Sequence, residues 1–394
     1  MIAIKNGRIV TPNEIIENKT LLIHKDRIIN ICNSDIKAKK TINAHGGYVM
    51  PGFIDVHSDK IEQFIYPRPT ARFPLHFTPG LVAVHNRIFQ LGITTIYHSF
   101  SLYKDELLGK SPLRTKENVL EMAELIANIH KRRHLIHHRF HLRIEIDNIE
   151  AYDIAKEMME RGLVHEISFM DHTPGQGQYR SLEVYRDTVD KYHGMENESM
   201  TFEEVLEHHK EKGMLSFEQL KELADMAHER NITVASHDDD TVEKLKINQR
   251  LGVDISEFPI TEDTAKAAHD MNFYTVAGAP NILLGGSHSG NMSAADAIVH
   301  GYADILCSDY FPQAILQSLF IMRDKYGQSL PEMVKKVTLN PAKAMRIDKN
   351  YGSIEKGKKA DIVIADIVDD YPAITHVIAD GKLVSKIKYR RQTV

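Results

Sequence analysis

The chain predicts an α/β fold: a TIM-like (β/α)8 barrel with a small β-sandwich domain formed from both chain termini. Three observations predict it. Short β segments fill residues 1–50 and return in 352–394. Between 51 and 347, eight apolar segments alternate with helical stretches, the pattern of a parallel sheet covered by helices. Five of those eight segments end in side chains able to bind a metal. The domain division read from this is 1–50 plus 348–394 for the composite β unit and 51–347 for the barrel. A doubly wound sheet is the architectural alternative.

In chain order, Ile2-Ala3-Ile4, a turn at Asn6-Gly7 and Arg8-Ile9-Val10 read as a hairpin. Leu21–Ile23 and Ile28–Ile31 read as a second strand pair around Lys25-Asp26. Such strands need partners to bury their faces. The far end supplies candidates in Gly352–Ile354, Asp361–Ala365, Ile374–Ile378 and, after a turn at Asp380-Gly381, Leu383-Val384.

The barrel strands expected are Phe53–Asp59, Thr94–His98, His141–Ile146, Glu166–His172, Thr233–His237, Ile255–Pro259, Tyr274–Gly278 and Asp304–Asp309. Helices are expected over Glu117–His130, Ile149–Arg161, Phe217–Arg230 and Thr261–Met271. Residues 173–216 break the alternation. They are polar, charged and too long for an ordinary connection, so a lid is expected there.

Composition narrows the function. With 42% apolar and 26% charged residues in 394, the chain has the make-up of a soluble globular protein. A formal charge of −5 gives no general attraction to nucleic acid or a membrane surface. No uninterrupted apolar run is long enough to span a bilayer, and Cys32 and Cys307 build no disulfide framework. A cytoplasmic location is expected. The 22 histidines raise the prior for metal chemistry.

The segment MPGFIDVHSDKIEQ, Met50–Gln63, organises the rest. His57 and Asp59 stand two apart on one strand and so face the same way. Alone, the pair reads equally well as a buried strand ending in a polar turn. The other strand ends decide it: Glu145, Asp171 and His172, His237 and Asp238, and Asp309. In a barrel these ends meet at one mouth, where active sites are built. They offer enough ligands for two divalent ions about 3.5–4 Å apart.

PGFIDVHSD, the strand-end His172 and His237, CSD at 307–309 and LNPAKAMRIDKNYGSIEKGKKADIVIAD resemble the amidohydrolase superfamily over nearly the whole chain. Within it, HSDKIEQFIYPRP, FHLRIEI, SFMDHTPGQGQY, SHDDDT, GSHSGNMSA and CSDYFP are together most similar to the α-D-ribose 1-methylphosphonate 5-triphosphate diphosphatases of the phosphonate pathway. The resemblance implies a metal site of His57, Asp59, Glu145, His172, His237 and Asp309, with Glu145 bridging two divalent ions. Zinc is the first expectation, manganese or iron the alternatives. The commoner superfamily pattern is His-x-His with a carboxylated lysine as bridge. Here Asp59 replaces the second histidine, and Glu145 occupies the bridging position.

The resemblance further implies an anionic small-molecule substrate. Residues placed to receive it are Lys60, Arg68, Arg72, Arg143, Gln176, Gln178, Tyr179, Arg180, Ser287, His288 and Ser289. For each, a solvated charge or turn residue is the plain alternative. The expected reaction is metal-hydroxide attack on the α-phosphorus, giving the 5-phosphate and pyrophosphate, with Asp309 as general base or, alternatively, as a ligand alone. A hydrolase acting on a C–N bond, an amidase or deaminase, is the second enzyme reading. A silent binding or scaffold protein is the third; a filled ligand set argues against it. Oligomeric state stays open, a homo-oligomer included.

Overall fold

The computed structural model describes residues 1–33, 37–65, 77–102, 112–129, 131, 134–173, 175–177, 183, 186, 213–286 and 291–389. Eight parallel strands form its centre: Phe53–Ser58, Ile93–Leu102, His137–Glu145, Glu166–Met170, Thr233–His237, Ile255–Glu257, Tyr274–Gly278 and Ile305–Cys307, each beside the next. The first and last meet through a parallel bridge between Ser58 and Asp309, which closes the barrel. All eight expected strands are present, with ends moved by a few residues.

The helices follow from periodicity and capping. Ala151–Glu160 buries Ala151, Ile154, Ala155, Met158 and Met159, one stripe at helical spacing laid on the barrel. Phe217–Glu229 starts at a capping box, Ser216 receiving the Gln219 amide while the Gln219 side chain returns to the Ser216 amide. Thr241 and Thr261 cap the helices after the fifth and sixth strands in the same manner. No helix of the described residues is long and apolar enough to cross a membrane.

The termini build two sheets. Ile2–Lys5, Thr20–His24, Arg27–Cys32 and Lys40–Asn43 form a four-stranded sheet. The other, six-stranded, joins Arg8–Val10, Ile15–Ile16 and Tyr48–Pro51 from the N-terminal part to Ile362–Val368, Tyr371–Ala379 and Lys382–Lys386 from the C-terminal part. The join is the antiparallel pairing of Tyr48–Pro51 with residues of Ile362–Val368. Ile4, Leu21, Ile23 and Ile28 of one sheet pack with Ile9, Val49, Ile362 and Ile364 of the other.

Two sequence expectations fail here. Asn6-Gly7 is not a hairpin turn: it passes the chain from the first sheet to the second, with Asn6 left-handed at φ 55°. Each flanking strand finds a different neighbour, Ile2–Lys5 beside Lys40–Asn43 and Arg8–Val10 beside Tyr48–Pro51. Gly7 is needed because a Cβ there would lie 2.5 Å from Val49 Cγ2. Gly352–Ile354 is a bend, not a strand; it contributes only the buried Ile354 to the sandwich core. Most of the expected lid, 173–216, lies outside the described residues.

Candidate metal centre

The barrel seam places the first group. Asp309 donates its backbone amide to the His57 carbonyl at 3.0 Å, and Asp59 donates to the Asp309 carbonyl at 3.1 Å. These bonds bring the HSD and CSD segments side by side, so His57, Asp59 and Asp309 each offer one ligand atom to a single cluster. Asp309 is left-handed at φ 53°, as are Asp238 at 54° and Phe258 at 53°, all just beyond barrel strands. Such backbone clusters at functional sites because the surrounding fold must hold it there. It turns these side chains over the mouth.

A second group lies beside the first. His237 Nδ1 is 3.0 Å from Asp238 Oδ2, and His172 Nε2 is 3.7 Å from that same oxygen. Glu145 Oε1 lies 2.8 Å from His172 Nδ1 and orients the ring. The His57 and His237 rings are 5.4 Å apart, with Phe258 against both at 5.1 Å. Arg143 joins the groups: its Nη1 is 3.3 Å from both Asp59 oxygens and its Nη2 3.3 Å from His237 Nε2.

Electrostatics follow from packing many carboxyl groups into little water. Burial raises the Asp309 carboxyl, and Asp59 beside it adds to the shift. Burial would raise Asp59 too, but the Arg143 guanidinium and His57 hold it low. Burial would depress His172; Glu145 and Asp238 outweigh it and raise the imidazole to about 9. Beneath the mouth, Asp55 is sealed off and pushed up to about 7 by burial, although the Ser308 amide donates to it at 2.8 Å.

This donor set, imidazole nitrogen and carboxylate oxygen without thiolate, suits a first-row divalent ion. One observation tests the fit. The buried atoms His237 Nδ1 and Asp238 Oδ2 carry no hydrogen bond, a condition that costs about 1–3 kcal/mol per group. A cation held between them would satisfy both.

All six expected ligands therefore converge on the mouth. Arg143 points there as expected, but its guanidinium already engages Asp59. Lys60 donates to Gln63 at 2.5 Å and borders a side cavity of about 190 Å³ with Arg87 and Gln313. Gln176 sits on an exposed turn, its amide donating to Thr173; the adjacent Gly177 amide donates to Asp240 at 3.0 Å. Arg68, Arg72, Gln178, Tyr179, Arg180, Ser287, His288 and Ser289 lie outside the described residues.

Several further side chains line the site. Asp238 is legible as a strand-end carboxylate but lies outside the ligand set that the resemblance implies. Glu257, whose Oε1 is 3.0 Å from His57 Nδ1, ends the sixth strand and could have been found the same way. Asp55 shares the strand face of His57 and Asp59, and His141 that of Arg143 and Glu145, by the alternation already used. His141 lies in the barrel interior, 2.9 Å from Ser168 Oγ and 3.4 Å from Glu166.

The model of the amidohydrolase family matches residues 155–384. The chain is 33% identical to an α-D-ribose 1-methylphosphonate 5-triphosphate diphosphatase of Escherichia coli (strain K12), over 97% of this chain and 99% of that protein. It is 23% identical to an imidazolonepropionase of Thermoplasma volcanium, over 92% and 87% of the two chains. Among solved structures it superposes on the N-acetylglucosamine-6-phosphate deacetylase of Pasteurella multocida with a TM-score of 0.64, at 13% identity, covering 98% of this chain and all of the other.

Proposed function

This chain belongs to the amidohydrolase family, and we propose that it is a metal-dependent diphosphatase of phosphonate catabolism. Its substrate on this reading is α-D-ribose 1-methylphosphonate 5-triphosphate or a close analogue, cleaved to the 5-phosphate and pyrophosphate. The end-to-end likeness to the E. coli diphosphatase carries the reading.

Two divalent ions, zinc first among them, would be held by His57, Asp59, Glu145, His172, His237, Asp238 and Asp309. When bound, such ions lower the pKa of a coordinated water to about 7 and polarise a phosphoryl oxygen. The chain's own residues do the rest. Asp309 is the carboxylate that takes the proton of the attacking water. The water oxygen forms the new bond at the α-phosphorus as the bond to the α–β bridging oxygen breaks, and pyrophosphate departs with that oxygen. Arg143 holds the Asp59 carboxylate and the His237 ring in place at the mouth. Glu257 fixes the His57 ring so that Nε2 faces the site.

The C–N reading rests on the ligand set alone, which suits either kind of centre. Zinc-loaded protein given the ribosyl triphosphate should release one pyrophosphate per sugar. No pyrophosphate, with turnover of an amide or aminopurine instead, would favour the C–N reading.

A further inference from the structure

The opposite end of the third barrel strand carries a second cluster of metal-capable side chains. His137 begins that strand; Glu145 ends it, eight rises or about 26 Å away. His137 Nε2 lies 3.2 Å from Asp361 Oδ2 and 3.7 Å from Asp380 Oδ2. His134, one short loop earlier, brings a further imidazole within reach of His137 and Asp380. Asp361 stands just before the strand Ile362–Val368 and Asp380 just after Tyr371–Ala379, so the cluster spans the junction between barrel and sandwich.

Each carboxylate has one oxygen committed to the protein and the other aimed inward. Asp361 Oδ1 accepts the Asp380 amide at 2.7 Å. Asp380 Oδ1 accepts from Lys359 Nζ at 3.3 Å, and Lys359 is itself held by Asp26 at 2.7 Å. The remaining oxygens face the His137 ring. Asp361 is only 7% exposed, and its Oδ2 accepts no hydrogen bond. The side chain of Asp380 is 32% exposed, which leaves an entry from solvent.

Distances separate two readings of this cluster. A charge-assisted N–H···O bond is short, about 2.7–2.9 Å. Ligands about 2.0–2.2 Å from a tetrahedral zinc stand roughly 3.3–3.5 Å from one another. The contacts to His137 Nε2, 3.2 and 3.7 Å, bracket the second value. Lys359 does not occupy the centre, because its ammonium lies on the outer oxygen of Asp380. We propose that His134, His137 and Asp380, with Asp361 against the His137 ring, form a structural divalent-metal site that pins the β-sandwich to the barrel. His134, His137 and Asp380 each offer a ligand atom within 4.8 Å of the others, and Asp361 Oδ2, 3.2 Å from His137 Nε2, stands beside them as a further donor.

The test uses zinc alone and the full-length protein. Wild type and His134→Gln are equilibrated at equal buffered free zinc, and bound zinc per chain is counted. The expected result is one ion fewer in the variant, a smaller zinc-induced rise in thermal midpoint, and unchanged turnover at the mouth. Asp380→Asn, at the accessible edge, should reproduce the loss. Equal zinc counts in wild type and both variants would overturn the proposal. So would a lowered midpoint without loss of zinc, which would leave the cluster an ion-pair clamp only.

Discussion

His57 Nδ1 sits 3.0 Å from Glu257 Oε1, with both side chains sealed from solvent. Burial alone would disfavour both charges. The carboxylate nevertheless raises the imidazole, and the imidazole holds Glu257 below the usual carboxylate range. The consequence is orientational: with Nδ1 committed to Glu257, Nε2 is left facing Asp59, 3.8 Å away. Partners of this kind set ligand tautomer and geometry, and losing one typically costs 10–100-fold in metal affinity. Glu257→Gln should weaken zinc binding by about that factor, read by chelator competition. Unchanged affinity would mean that the pair serves the barrel core only.

Asp309 is both a seam residue and the proposed base. Its backbone holds the first and eighth strands together, while its carboxyl stands beside His57 and Asp59. Asp309→Asn keeps the shape and the seam but removes the basic oxygen. Turnover should fall by about 10²–10⁴-fold, the usual range for a general base, with most of the metal retained. Measuring kcat and zinc per chain on one sample decides the matter. Metal lost in step with activity would make Asp309 chiefly a ligand.

What was legible in the sequence had a local signature. Strand alternation put His57 with Asp59 and Arg143 with Glu145, and strand ends located His172, His237 and Asp309. The Asn6-Gly7 turn misled because a tight turn looks the same whether it joins two strands of one sheet or passes between sheets. Only the long-range partners, Lys40–Asn43 and Tyr48–Pro51, distinguish the cases. Glu257 carries the same strand-end signal, but what it does there does not show in the sequence. Its role depends on a partner 200 residues away that alternation cannot name.

Outside the mouth, three buried histidines form a chain: His98 Nε2 is 2.7 Å from His138 Nδ1, and His138 Nε2 is 3.2 Å from His85 Nδ1. Burial, with His85 nearby, lowers His98 to about 3. The unfolded chain takes up this proton near pH 6.5, so between about 6.5 and 3 it binds more protons than the native state. Stability from this group is therefore full above pH 6.5 and declines as pH falls. Urea midpoints should drop between pH 7.5 and 5, and by less in His98→Gln. An equal drop in both would remove His98 as a cause.

Gly381, in the turn after Tyr371–Ala379, adopts φ 69°, and a Cβ there would overlap the carbonyl oxygen of Lys25. Its amide donates to Ala360 at 3.0 Å, so the turn cannot easily back away. Gly381→Ala should destabilise the protein by about 2–4 kcal/mol through strained backbone and overpacking at the contact between the two chain ends. Denaturant unfolding measures this. Wild-type stability would show that the turn relaxes freely.

On the proposed mechanism, water attacks the α-phosphorus of a 5-triphosphate. Turnover in ¹⁸O-labelled water tests it most directly, because the oxygen of the attacking water stays on the phosphorus it attacks. One labelled oxygen is expected in the ribosyl 5-phosphate and none in the pyrophosphate. Label in the pyrophosphate, or no pyrophosphate at all from metal-loaded protein, would contradict it.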